Sequence, residues 1–321
     1  MTLRRHAYLT VLLISLSLAS SATASGPAAE VLSRSSQVVV ETDGAYSRVL
    51  IEGASALRTP GVPALPVQHL RFVIPSDARV EDVVISYLEE EELPGVYRVM
   101  PAQPEAPIGE VPAWADPDPG IYGSEELFPS SRVEYLGDGY LGGYRIASVA
   151  VYPIQYVPAT GRLIVATDVS VELELGQGAD RSRARHRMTA ESDRLYRELV
   201  EGMVENPWDV GGSRKSSVEV VEAVGPSGFD PRYTPSLDGS PVEYVIITSE
   251  EFEPYFADLA DWKTEKGVPT VVRTVSWIDA SYPGGCDTPE RIRMFIEDAY
   301  SSWGTTYVLL GGDTNIVPPR Y

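Results

Sequence analysis

Between residues 242 and 321 three short apolar runs alternate with two stretches of helical periodicity, an order that few folds accept. The first run is Val242-Glu-Tyr-Val-Ile-Ile-Thr248, the second spans 268–275, and the third is Tyr307-Val-Leu-Leu310. Strands separated by helices must cross over and pair in parallel, and continuous apolar runs suit strands covered on both faces. A helix is predicted over 249–266, with Ser249 as its cap and Glu250 and Glu251 at its positive end. Pro254 blurs where it starts, and Gly267 ends it. Phe252, Tyr255, Phe256, Leu259 and Trp262 form its apolar stripe, with Trp262 expected against the sheet. A second helix is predicted over 288–303, started by Asp287 or Thr288 with Pro289 in the first turn. It would bury Ile292, Phe295, Ile296, Ala299 and Trp303.

Upstream the period changes to two. Residues 37–41 and 46–51 flank a Thr42-Asp-Gly-Ala45 turn and read as a hairpin. Residues 69–74, 80–87, 144–152 and 162–175 continue the strand pattern. In the last of these Val169, Val171, Leu173 and Leu175 alternate with Ser170, Glu172 and Glu174, the mark of a sheet with one wet face. Pro153, Pro158 and Gly161 punctuate its hairpin, and the acidic run 89–92 reads as a solvated strand end. Residues 101–129 lack periodicity and read as a long draped loop carrying Trp114, Tyr122 and Phe128. An amphipathic helix is expected over 189–204, with Leu195, Leu199, Val200 and Met203 on one face. The basic run 181–187 before it reads as a solvated linker open to trypsin-like cleavage. Residues 206–228 read as a further linker, with a basic pair at Arg214 and Lys215.

Residues 1–24 have the form of a secretory signal peptide: Arg4 and Arg5, an apolar stretch over 7–18, and a small-residue cleavage site ending at Ala24. The apolar stretch is too short to span a bilayer, and export to a secreted or extracellular location is expected without a membrane span. The net charge of −20 argues against sequence-independent nucleic-acid binding, which needs cations against phosphate. Cys286 is the only cysteine, which rules out a disulfide within residues 1–321.

Several phrases, in order, resemble the gingipain family of secreted cysteine peptidases. Gly61-Val-Pro-Ala-Leu-Pro66, Phe72-Val-Ile-Pro75 and Val151-Tyr-Pro-Ile-Gln-Tyr-Val-Pro158 are similar to its propeptide. Asp261-Trp-Lys-Thr-Glu-Lys-Gly267 and Val308-Leu-Leu-Gly-Gly-Asp-Thr-Asn-Ile-Val-Pro318 are similar to the start of its catalytic domain. The expected fold is therefore two-domain: an all-β sandwich-like propeptide domain, then an incomplete α/β domain with a parallel, caspase-like sheet. The expected division is a signal peptide over 1–24, the propeptide-like domain with its terminal helix over 25–205, a linker over 206–241, and the catalytic-like segment over 242–321.

The resemblance implies a zymogen whose propeptide masks its own catalytic domain until it is cut off. Arg232-Tyr-Thr-Pro235 resembles the maturation site of the Arg-specific members, with scission between Arg232 and Tyr233; the alternative is an ordinary interdomain turn. The family's catalytic His and Cys come later than Tyr321, so no catalytic residue is expected here and residues 1–321 should be inactive. The complete enzyme would act on protein or peptide substrates. Cys286, in Pro283-Gly-Gly-Cys-Asp287 ahead of a helix, stands where a thiol pKa could be lowered. It precedes any suitable His and reads as a free loop cysteine. Asp313 falls at a strand's carboxyl end, where sites of parallel sheets lie. It is a candidate loop orienter or ion ligand, or else an Asp that satisfies backbone donors in a glycine turn. No cofactor and no dense metal-ligand cluster is expected in this segment; the resemblance allows calcium in the complete protein. No phosphate-loop pattern supports a nucleotide- or flavin-binding domain. The alternative function is an exported non-catalytic binding or peptidase-inhibitory module.

Overall fold

The computed structural model describes residues 24–31, 37–106, 111–178, 187–213, 218–222 and 225–320. Residues 1–23, the basic run 181–186 and the Arg214-Lys215 pair lie outside these, and with them most of the signal-peptide and basic-linker readings. Strands run in chain order Ala24–Val31 (β1), Val38–Asp43 (β2), Tyr46–Ile51 (β3), Ser55–Ala56 (β4), Pro66–Ile74 (β5), Ala78–Ser86 (β6) and Glu89–Glu92 (β7). After a short helix Pro119–Tyr122 (α1) come Val133–Leu141 (β8), Tyr144–Val151 (β9), Ile154–Val157 (β10), Arg162–Thr167 (β11) and Val169–Gln177 (β12). Then follow Arg187–Thr189 (β13), Ala190–Glu201 (α2), Val210–Ser213 (α3) and Glu219–Val221 (β14). The last part contains Tyr244–Thr248 (β15), Glu253–Glu265 (α4), Thr270–Thr274 (β16), Val275–Ser281 (α5), Thr288–Asp298 (α6) and Tyr307–Gly311 (β17).

Up to β12 the pairing is antiparallel. The sheet β4-β5-β9-β8 packs on the sheet β1-β12-β6. Phe72, Ile74, Val149, Val151, Val171 and Leu173 fill the space between them. A second core, with Ile51, Leu65, Tyr156 and Val165, lies between the β2-β3 hairpin and the sheet β10-β11-β7. The stretch 162–175, expected as one strand, is two. Asp168 adopts φ 48°, breaks the ladder, and sends β11 and β12 into different sheets. Beyond it the alternation holds, with Val169, Val171 and Leu173 inward.

Thr189 caps α2 by accepting from the Ser192 amide. Of the expected face Val200 is buried and Met203 packs beside it, together with Tyr196, against Val73, Tyr144 and Ile146 on β5 and β9, while Ser192 is buried towards Glu243. Leu199 is 49% exposed, because the burying face is centred on Tyr196 and takes in a serine that the apolar pattern passes over.

The last part is a parallel sheet ordered β16-β15-β17, with β15 central and pairing both neighbours in register from Tyr244. Its core holds Val245, Ile247, Ile278, Ile292, Phe295 and Trp303. Three expectations fail here. Ser249 does not cap α4: the helix begins later, after Phe252, with no side-chain cap, and the buried Ser249 hydroxyl is without a hydrogen-bond partner. Trp262 is 52% exposed and Tyr255 78%, so the helix is turned with Ala260 and Thr264 inward. A helix not foreseen, α5, follows β16 directly, capped by Thr274. α6 starts at Asp287 as expected and runs into a π-turn, residues 299–303, that seats Trp303 before Gly304 ends it. Among the described residues no helix is long and apolar enough to cross a membrane.

Candidate functional site

The segment between the two halves is a closed loop. Ser240 ties its base: its amide donates to the Asp230 carbonyl (3.1 Å), and its hydroxyl accepts from the Asp230 amide (2.9 Å) and donates to the Gly228 carbonyl (3.2 Å). Pro231 and Gly239 bridge one step inside it. Arg232 and Tyr233 sit on the exposed part of this loop, Tyr233 at 67%.

Exposure does not leave Tyr233 loose. The Arg273 guanidinium, rising from β16, donates to the Tyr233 carbonyl through Nε (3.1 Å) and Nη2 (2.9 Å). It also donates to the Val272 carbonyl at 2.7 Å. Its central carbon lies 4.8 Å from the Tyr233 ring and 5.3 Å from those of both Trp277 and Trp303. Tyr233 meets Trp277 edge to face at 5.1 Å. Among the described residues the partners of Arg273 are thus carbonyls and rings rather than carboxylates, a setting suited to a weakly hydrated guanidinium. Desolvation draws its pKa below the usual arginine value, against the pull of Tyr233 and Glu253.

The other side of the loop is held from upstream. Arg187, the last residue of the basic run, donates to the carbonyls of Leu237 (3.1 Å) and Gly239 (2.9 Å). It is therefore a structural contact and not part of a solvated linker, since its strand β13 packs beside the π-turn at residues 299–303. Two hydroxyls at the start of α2 face the buried Glu243 carboxylate: Thr189 at 3.3 Å and Ser192 at 3.3 Å. Ser192 also meets the Thr306 hydroxyl at 2.7 Å. The two halves are joined through a desolvated polar contact, not only through chain connectivity.

The remaining sequence candidates fall elsewhere. Ala24 is the first residue of β1 and pairs with Leu175. The Asp313 carboxylate is exposed and accepts from the Thr314 amide at 2.6 Å, while its carbonyl accepts from Ile316 and Val317. Cys286 is exposed and free. Its thiol pKa is raised, not lowered, chiefly by a hydrogen bond with the Glu290 carboxylate and against the lowering effect of Arg320. Cys286, Asp287 and Glu290 stand close enough to share a cation. Arg320 already donates to both Asp287 oxygens at 2.6 Å and to Cys286 Sγ at 3.3 Å, supplying positive charge there. The contacts of Arg273, Glu243 and Ser192 were not foreseen. The available signal was a lone charge inside each apolar run, Arg273 after Val271-Val272 and Glu243 between Val242 and Tyr244.

An antiparallel β region is joined through its helix to a parallel α/β segment, across a loop with an exposed Arg-Tyr bond. Two family profiles divide the chain in the same way: Propeptide_C25 matches residues 30–193, and Peptidase family C25 matches residues 238–321. The chain belongs to this family, the gingipains, and carries its propeptide followed by part of its peptidase domain. Gingipain R2 of Porphyromonas gingivalis is 25% identical over 269 residues, covering 81% of this chain and 32% of its own length. Lys-gingipain of the same organism is 24% identical over 298 residues, covering 87% of this chain and 15% of its own. The chain thus spans about a third or less of the length of these relatives. A solved complex of Porphyromonas gingivalis RgpB pro- and mature domains superposes with a TM-score of 0.41 at 15% identity, over 54% of this chain and 86% of that one.

Proposed function

We propose that residues 1–321 are the amino-terminal portion of a secreted cysteine endopeptidase zymogen. The observation that carries this reading is the tandem match of propeptide and peptidase profiles on two parts that pack on one another. In this reading residues 1–24 direct export, the β region and α2 mask the peptidase domain, and hydrolysis between Arg232 and Tyr233 begins maturation. The parallel sheet is the start of a caspase-like domain, and the Cys–His dyad that attacks peptide bonds lies in sequence after Tyr321. Its substrates are proteins or peptides. The exposure of Arg232 on this loop supports the cleavage position.

The test is to express the complete reading frame, determine the amino terminus of the secreted product, and assay hydrolysis of peptides with Arg or Lys before the cut. Activity that appears with a Tyr233 amino terminus, and is lost with the downstream Cys, supports the reading. A stable exported product without peptidase activity would instead favour a binding or inhibitory module.

A further inference from the structure

Two groups that meet Tyr233, Arg273 and Trp277, with Trp303 behind Arg273, form a site in their own right. Arg273, Trp277 and Trp303 come from β16, α5 and the π-turn, all downstream of the loop they hold. Trp303 is fully buried and fixes one side; Trp277 meets both Tyr233 and Phe295 edge to face. A guanidinium that donates twice to one carbonyl, with the same residue's ring against it, recognises an aromatic residue in one backbone geometry.

A peptidase binds several residues on each side of the scissile bond in extended form, so a bond whose following residue is pinned must first undock. We infer that Trp277 and Arg273, the latter backed by Trp303, are a docking site for Tyr233, the first residue of the mature chain, and that this dock holds back scission after Arg232. The inference rests on the maturation reading above. Hydrolysis adds water across the Arg232–Tyr233 peptide bond, leaving a carboxylate on Arg232 and an ammonium on Tyr233. The carbonyl that Arg273 grips is Tyr233's own, one bond further on, so the dock survives the cut and keeps the new amino terminus on the α/β segment. Arg187 is a separate grip on Leu237 and Gly239 and is unaffected by it.

Limited trypsin digestion of the full chain tests this, following by mass spectrometry the rate at which fragments beginning at Tyr233 appear. Arg273→Ala should raise that rate at least about tenfold, the factor that one charge-assisted hydrogen bond at the low end of its range corresponds to. Tyr233→Ala keeps the carbonyl and removes the ring, so it should raise the rate by a smaller factor, about two- to fivefold, once divided by the rate on a free peptide of residues 226–240 carrying the same change, which removes trypsin's own preference. Tyr233 is exposed, so this variant carries the test if Arg273→Ala does not fold. Rates in the variants equal to or below wild type overturn the dock. The amino terminus of the secreted product is read separately: a start other than Tyr233 overturns the maturation site, whatever the trypsin rates.

Discussion

Replacing Ser192 by Ala probes the grip of the propeptide with little change of volume. The hydroxyl is fully buried and stands 3.3 Å from a Glu243 carboxylate oxygen and 2.7 Å from the Thr306 hydroxyl. A hydrogen bond to a charged acceptor contributes about 1.5–3 kcal/mol, and the 3.3 Å separation puts this one at the lower end. Alanine returns about 0.5 kcal/mol of helix propensity at this third position of α2. The expected net loss is about 1–2 kcal/mol. It should appear as a lower urea midpoint with unchanged slope, followed by tryptophan fluorescence on the full chain. Glu243→Gln alone should also destabilise, since an amide cannot accept through both of its terminal atoms. The double variant decides the matter: a loss smaller than the sum of the two singles by about 0.5 kcal/mol or more places the residues in contact. Strict additivity, or a Ser192→Ala loss below about 0.5 kcal/mol, would refute the argument that this polar contact fastens α2 to the α/β segment.

Other outcomes follow from single contacts. Gly304 and Gly53 share φ 78°, but a Cβ at Gly304 would lie 2.8 Å from the Arg187 carbonyl oxygen while one at Gly53 meets nothing within 4 Å. Gly53→Ala should therefore cost about 1–2 kcal/mol of left-handed strain and Gly304→Ala clearly more, as urea midpoints would show. At pH 8 Glu290→Gln should speed iodoacetamide alkylation of Cys286, because the group that raises its pKa is removed; Arg320→Ala should slow it, and the same sign for both variants would refute the assignment. Tyr152, desolvated and donating to Glu134 at 2.9 Å, has its phenol pKa pushed up to about 12. Its stabilising effect is full below pH of about 10 and is lost as pH rises through its raised value; Tyr152→Phe should reduce the 295 nm titration amplitude near pH 12.

What could be read from the sequence was what depends on near neighbours. The β2-β3 hairpin, the alternation along β12 and the α6 cap at Asp287 all follow from spacing within a dozen residues. The proposal of maturation at Arg232-Tyr233 rests on resemblance, and spacing alone does not separate it from an ordinary turn. The break at Asp168 was hidden because valines on both sides keep strand propensity through a residue that leaves the ladder. α5 was missed because it follows β16 without a turn, its cap Thr274 being also the last strand residue. The partners of Glu243 lie 51 and 54 positions away and that of Arg273 lies 40 away, distances at which local pattern carries no information.

The misplaced face of α4 has a different origin. Phe252, Tyr255, Phe256, Leu259 and Trp262 do fall at helical spacing, and the helix is there. Periodicity reports that a residue suits apolar surroundings; it does not say that such surroundings lie within the same 321 residues. Here α4 leans on β15 and β16 through Ala260 and Thr264, while Trp262, Tyr255 and the Leu310 side chain of β17 remain open to solvent. Arg273 and Glu243 show the opposite case. Each is a charge set in an apolar run, which the pattern marks as a misfit, and each is where the peptidase segment is held to what precedes it. In this chain the polar exceptions in the strands locate the contacts between its parts better than the apolar stripes do.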